Sequence, residues 1–247
     1  MEKISKSQVK LIKSLQLKKF RDELGLFVAE GEKCVEELRK SFEFEHLYRE
    51  GENATRTEIE QMSGLRTPQG TIAVFRKRPV NPPKLADLVL ALDGIQDPGN
   101  LGTIIRTCDW FGVHDIVCSK DTADCYNPKV VQATMGALAR VRIHYVDLPE
   151  WLREPTPIPS LKGRVNIYGT LLDGEDIYKT SLPFREGSGL GSSIIVMGNE
   201  GNGISQEVRK LITHPIRIPS YPKNAETSES LNVSIATAIV LAEFRRD

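Results

Sequence analysis

Residues 194–205 read Ile-Ile-Val-Met-Gly-Asn-Glu-Gly-Asn-Gly-Ile-Ser. The opening apolar run spells a strand buried on both faces. Gly198, Gly201 and Gly203 then leave the main chain free to turn or to lie against a ligand, and Ser205 suits the start of a helix. The loop lacks the Lys-Ser/Thr ending of a phosphate-cradling loop, which disfavours a nucleoside-triphosphate site. Glu200, in its middle, would repel phosphates and suits a hydrogen bond to a sugar, an amide or a neighbouring loop.

The same rhythm extends in both directions. Strands are expected at Leu88–Leu92, Asp115–Cys118, Val141–Val146, Val165–Thr170 and Pro215–Ile218, and helices at Asn100–Phe111, Pro128–Leu138, Ser205–Leu211 and Leu231–Arg245. Pro149–Pro159 and Gly187–Ser193 read as loops. Apolar strands alternating with helices predict an α/β fold with a mostly parallel sheet covered on both faces. Ligands in such sheets bind beyond the strands' carboxyl ends, so the loops of interest are Asp93–Asn100, Gly198–Ser205 and Pro219–Ser230. The last helix is apolar nearly all round, so it lies deep in the monomer or packs against a partner subunit.

Upstream, Arg76–Lys84 reads RKRPVNPPK, where three prolines forbid regular structure. The expected organisation is a small α/β domain over 1–78, a linker over 79–87 and a larger domain over 88–247. In the first domain, Ser5–Lys19 reads as one amphipathic helix and Phe27–Glu30 as a strand. Glu32–Arg39 reads as a helix, Glu43–Tyr48 as an edge-like strand and Thr71–Phe75 as a buried strand. Thr57 and Glu60 have the spacing of a capping box.

At 247 residues with 40% hydrophobic and 27% charged side chains, the chain is too apolar for disorder and too mixed for a coiled coil. No stretch approaches the roughly 20 apolar residues of a membrane span, and lysines interrupt the amino terminus before a secretory signal could form; a cytoplasmic protein is expected. Net charge is zero, yet Met1–Arg21 holds seven basic residues against one acid, while Asp22–Glu60 holds five against twelve. The basic segment suits either a phosphate-binding footprint or a solubilised helix face. Cys34, Cys108, Cys118 and Cys125 have no zinc-ligand spacing and read as reduced, partly buried thiols.

Pro98 and Gly99 turn the chain after a buried strand, Asn100 can cap the following helix, and Arg106 is expected near the same helix face two turns on. Ser230 reads as the cap of the last helix; Asn232, at its start, is less readily explained by capping. Taken singly, each suits an architectural role as well as a functional one.

Together Asn100-x-Gly-x-x-x-Arg106, Gly198-Asn-Glu-Gly-Asn-Gly203 and Ser230-Leu-Asn-Val-Ser-Ile-Ala236 resemble, in order and spacing, the motifs of the SpoU (TrmH-like) family. These are SPOUT-class, S-adenosylmethionine-dependent RNA ribose 2′-O-methyltransferases. The resemblance covers about Leu88–Arg246. Met1–Phe75, with FVAEG at Phe27–Gly31 and TPQGTIAVF at Thr67–Phe75, looks like the small substrate-binding domain, related to the ribosomal-protein L30e fold, that many members carry. The resemblance implies a C-terminal trefoil knot, a homodimer with its site near the subunit interface, and a methyl donor held around Thr170, Leu171, Gly198, Asn199, Gly203, Ile218 and Leu231, without a metal. It places Arg106, Asn100, Glu200, Ser230 and Asn232 in the catalytic constellation, with Arg106 either base or electrostatic group. It makes RNA the partner, ribosomal favoured over transfer RNA, with Lys10, Lys13, Lys18, Lys19 and Arg21 available to its phosphates. The run from Ile218 to Ser230 is several residues longer than the family's usual one. Two other readings stay open: an RNA-binding protein on this scaffold without catalysis, and a small-molecule nucleotide enzyme.

Overall fold

The computed structural model describes residues 4–79, 88–153, 165–180, 182, 193–222 and 230–246. In chain order the elements begin with α1 (Lys6–Ser14), α2 (Lys18–Leu24), β1 (Leu26–Glu30), α3 (Glu32–Arg39), β2 (Phe44–Arg49), α4 (Arg56–Met62) and β3 (Thr71–Arg76). Next come β4 (Leu88–Asp93), α5 (Pro98–Trp110), β5 (Asp115–Ser119), α6 (Pro128–Thr134), a 3-10 turn (Ala137–Ala139), β6 (Arg142–Val146) and α7 (Leu148–Arg153). β7 (Asn166–Asp176), β8 (Ser193–Gly198), α8 (Gln206–Arg209), β9 (His214–Arg217) and α9 (Val233–Phe244) follow. The chain divides into two compact units, one of Met1–Val80, Leu101–Arg106 and Asp124–Arg140, the other of Asn81–Asn100, Thr107–Ala123 and Val141–Asp247. Of the linker expected at 79–87, residues 80–87 lie outside the described residues, as do 154–159 and 187–192 of the two expected loops.

In the first unit an antiparallel sheet runs β1-β3-β2, so β2 is an edge strand. Alternation along the strands sends Val28, Ile72 and Val74 to one face, against Ile12 of α1, Leu15 at its C-cap, and Ile59 and Met62 of α4. Phe27 and Phe75 take the other face, where Phe42 and Tyr126 pack on Phe27. Tyr126 and α6 thus belong to this unit although they follow β5 in sequence.

Two local expectations are corrected here. The single helix over Ser5–Lys19 is two helices, because Arg21 folds back and donates to the carbonyls of Leu15 and Gln16, both at 2.9 Å, terminating α1. The capping box on α4 is made by Thr55 and Glu58, with the Glu58 carboxylate accepting from the Thr55 backbone N–H at 2.8 Å, not by Thr57 and Glu60. Both pairs have the right spacing, and the extended backbone at Thr55 selects the first.

The second unit holds a six-stranded sheet in the order β6-β5-β4-β8-β7-β9, parallel at every pairing. β4 and β5 are buried along their whole length, as continuous apolar runs require when helices cover both faces. Val89, Ala91, Val117, Ile194 and Val196 share a core with Trp151 and Leu152 of α7 and with Ile204 and Val208. The expected loop at Pro149–Pro159 therefore begins as helix. β7 runs past the expected Thr170 to Asp176, with a bulge that pairs both Thr170 and Glu175 with Ile216. Gly174 permits this, since a Cβ there would collide with the Ile216 backbone. From β4 the strand order advances outward through β5 and β6, then resumes on the other side with β7 and β8. The adjacent pair β4 and β8 is the switch point, with a crevice outside its carboxyl ends. Among the described residues no helix is long and apolar enough to cross a membrane.

Candidate active site

The switch-point crevice is built by the chain leaving β4 at Asp93 and β8 at Gly198. Asp93, buried at the end of an apolar strand, accepts from the Ser205 N–H at 2.7 Å and so fixes the start of α8. Asn199 organises the glycine loop: its Oδ1 accepts from the N–H groups of Gly201 (2.9 Å) and Asn202 (3.0 Å), and its Nδ2 donates to the Gly94 carbonyl at 2.6 Å. Its backbone pairs with Gly203 in both directions. A Cβ on Gly198 would strike the backbone of Gly203 and Ile204, so only glycine lets the loop close this tightly. The Gly94 N–H donates to Ser119 Oγ at 2.8 Å, and Ser119 in turn donates to Asp121 at 2.5 Å, tying in the end of β5.

Three distant segments meet over this base. Asn232 Nδ2 donates to Asn100 Oδ1 at 2.9 Å, and Asn100 Nδ2 donates to Glu200 Oε1 at 2.8 Å. The direction of this chain is fixed at both ends. An ionised carboxylate only accepts, so Asn100 must present its amide nitrogen to Glu200. The first N–H groups of α9 only donate, so Asn232 must turn its oxygen to them, and it accepts from Ser234 and Ile235.

The caps expected from sequence are therefore reassigned. Asp97, not Asn100, caps α5, accepting from the Asn100 N–H at 2.8 Å. Asn232, not Ser230, caps α9, and Ser230 is exposed one residue before Leu231. Asn100 is thereby released from capping to bridge Glu200 and Asn232.

Arg106 is not part of this chain. Six residues is a third of a turn short of two turns, so Arg106 points about 120° away from Asn100 rather than sharing its face. It is exposed, on the same side of α5 as Thr103 and Trp110. Thr170 and Leu171 are half-buried at the middle of the bulged β7, just past its pairing with β8, which ends at Gly169 and Val196, and Ile218 is half-buried just after β9; Thr170 Oγ1 donates to the Val196 carbonyl at 3.3 Å. Leu231 keeps 48% of its surface. In the first unit, Lys10, Lys13, Lys18 and Lys19 are exposed, and Lys18 pairs with Asp22 at 2.5 Å. Arg21 is corrected: it is 1% exposed and ion-paired to Asp124 at 2.8 Å, which removes it from any RNA-facing surface. Among the described residues no group of three His, Cys, Asp or Glu side chains is arranged to hold a metal ion.

The chain as a whole resembles known proteins. Residues 87–242 match the SpoU rRNA Methylase family, and residues 6–73 match the MRM3-like substrate binding domain. The chain belongs to the SpoU rRNA methylase family. It is 30% identical over 261 residues to the 23S rRNA (guanosine(2553)-2′-O)-methyltransferase RlmP of Bacillus subtilis, covering 99% of this chain and 98% of that one. A TrmH-family structure from Porphyromonas gingivalis superposes with a TM-score of 0.83 at 36% identity, covering 98% of each chain. The AdoMet-bound rRNA methyltransferase of Sinorhizobium meliloti superposes with a TM-score of 0.82 at 29% identity, covering 100% of this chain and 97% of that one. The motifs located the loops but not their ties. Asp93, Asn199 as a loop anchor, Asp97 and Ser119 escaped notice as structural supports. The one available signal was a carboxylate closing each apolar strand or opening each helix, at Asp93 and Asp97.

Proposed function

We propose that this protein transfers a methyl group from S-adenosylmethionine to a ribose 2′-hydroxyl of structured RNA, ribosomal RNA rather than transfer RNA, in the cytoplasm. The observation that carries this reading is the Asn232–Asn100–Glu200 chain, which draws all three family motifs to the switch-point crevice. Assignment of the RNA follows the names of the relatives, several of which are rRNA methyltransferases. The residues suit an adenosyl group: the glycine loop from Gly198 to Gly203 carries little side-chain bulk, and apolar Leu171 and Ile218, half-buried, and Leu231, exposed, lie toward the same end of the sheet.

Bound S-adenosylmethionine supplies a methyl group already activated by its sulfonium. The protein's work is then alignment, charge stabilisation and removal of one proton. Asn100 and Glu200 hold the two crevice loops in register, Asn232 sets the entry to α9 beside them, and Ser230 stands exposed just before it. Arg106 grips the substrate phosphate or stabilises the developing alkoxide, with the proton leaving to phosphate or water. A guanidinium stays protonated and is a poor base.

The exposed position of Arg106, away from its own chain's amides, suits a ribose presented at a partner subunit's crevice. A homodimer accords with the second unit's surface, where Trp110 (85% exposed), Ile235 (54%) and Leu231 lie open on α5, on α9 and just before it. In this reading the last strands and loops form the trefoil knot of the SPOUT class. Residues 1–78 are the L30e-like RNA-binding part, joined through 79–87 to the methyltransferase domain over 88–247. Labelled S-adenosylmethionine, incubated with purified ribosomal and transfer RNA in separate reactions, tests the assignment. Label on a single ribose 2′-oxygen of ribosomal RNA is expected; transfer to neither RNA overturns it.

A further inference from the structure

Many basic side chains on the first unit are paired with carboxylates and others, Lys19, Lys33 and Arg66 among them, have no ion pair among the described residues. Arg39, Lys40, Arg49, Arg56 and Arg76 each pair with a carboxylate. Lys6, Lys10 and Lys13 make no ion pair among the described residues. These three repeat at i, i+4 and i+7, which puts their ammonium groups in a row over about 10 Å of α1. They line one side of a groove of about 890 Å³ whose other wall is α4. Three cations along one wall, without an ion pair among the described residues, suit a polyanion.

The rest of the groove says that phosphate alone does not fill it. Apolar Ile4 and Val9 also line it, as do Thr57 and Gln61. Asn53 bonds to the backbone of Leu47 and Arg49, Thr55 and Glu58 cap α4, and the Glu58 carboxylate also lines the groove, which keeps phosphates to the lysine side. The Thr57 hydroxyl and the Gln61 amide have no hydrogen bond among the described residues, and Gln61 offers both a donor and an acceptor.

We propose that the groove between α1 and α4 seats an unpaired nucleotide of the substrate RNA, with its phosphate and those beside it along Lys6, Lys10 and Lys13 and its base edge against Thr57 and Gln61. A base paired within an A-form duplex cannot be seated in such a groove, because its Watson–Crick edge is taken up by pairing and its major-groove edge lies too deep to reach. This inference rests on the RNA reading above and adds the form of RNA recognised.

The test uses the full chain and two variants, Lys6→Gln/Lys10→Gln/Lys13→Gln and Thr57→Val/Gln61→Ala. Binding of a loop-bearing RNA hairpin and of a fully paired duplex of equal length is measured across a salt series. Wild type is expected to favour the hairpin. The lysine variant should flatten the slope of log K against log salt by about 2, from roughly 0.7 per lost single-strand phosphate contact. The Thr57/Gln61 variant should bind the hairpin about tenfold more weakly with its salt slope unchanged, a split that general unfolding would not give. Thermal midpoint and S-adenosylmethionine binding serve as fold controls. Equal wild-type affinity for hairpin and duplex, an unchanged slope in the lysine variant, or full hairpin affinity in the Thr57/Gln61 variant overturns the proposal. Wild-type methylation of ribosomal RNA decides the function separately, so a protein that methylates RNA with an inert groove refutes this inference alone.

Discussion

Asn232 does two jobs with two atoms, and substitution can separate them. Its oxygen caps α9, accepting from Ser234 at 3.0 Å, while its nitrogen holds Asn100 at 2.9 Å. Asn232→Ala removes both. Loss of an amide cap costs about 1 kcal/mol, and loss of the hydrogen bond to Asn100 costs about 1 kcal/mol more. At roughly 2–4 °C per kcal/mol for a chain of this size, the thermal midpoint should fall by about 4–8 °C. Asn232→Asp keeps the capping oxygen and gains about 0.3–1 kcal/mol from a negative charge at a helix amino terminus, which offsets the lost donor. Its midpoint should stay within about 2 °C of wild type. Yet its carboxylate cannot donate to Asn100. To satisfy it, Asn100 must turn its amide nitrogen toward residue 232, which sets the amide oxygen against the Glu200 carboxylate and breaks that tie. Methyl transfer by Asn232→Asp should therefore fall at least about tenfold despite near-normal stability. Calorimetry and an initial-rate assay with labelled donor read the two effects independently. Equal midpoints for the two variants, or wild-type turnover in Asn232→Asp, would refute the reasoning.

Arg106→Ala should abolish methyl transfer while calorimetric donor affinity changes little, since the side chain is exposed and outside the amide chain; wild-type-like turnover would end its assignment. Arg21→Ala should cost about 3–5 kcal/mol by leaving a nearly buried Asp124 without its cation, and a denaturant titration should show it, whereas a loss of salt-dependent RNA affinity at full stability would restore Arg21 to the RNA-binding surface. Burial pushes the Asp115 carboxyl up, but hydrogen bonds from His144 and Arg142 outweigh it and hold the carboxyl below its ordinary value. Its contribution is therefore present above about pH 3.9, the unfolded value, and is lost as pH falls through the lower folded value. Asp115→Asn should be most destabilising at neutral pH, and its deficit relative to wild type in unfolding free energy should shrink below about pH 4; a deficit constant with pH would contradict this.

The sheet was legible because its strands are apolar without alternation, a pattern that only coverage on both faces explains, and the loops at its switch point followed from that. The same reading placed β4, β5 and β8 to within a residue or two. What local pattern misread has a common cause. Thr55 and Thr57 are both in frame for a capping box, Asp97 and Asn100 both suit a cap, and so do Ser230 and Asn232; the choice within each pair depends on which residue starts the helix. For Asn100 and Asn232 that choice is coupled to partners 100 and 132 residues away. Arg21 looked like one more surface cation because its partner, Asp124, is 103 residues distant. A short-range rule gives each such residue a short-range task, whereas the folded chain uses it to stitch remote segments together. In the amide chain this is also why the site depends on chemical identity rather than polarity: a donor to Glu200 and an acceptor for α9 must be joined through two side chains, and asparagine at both positions supplies one of each.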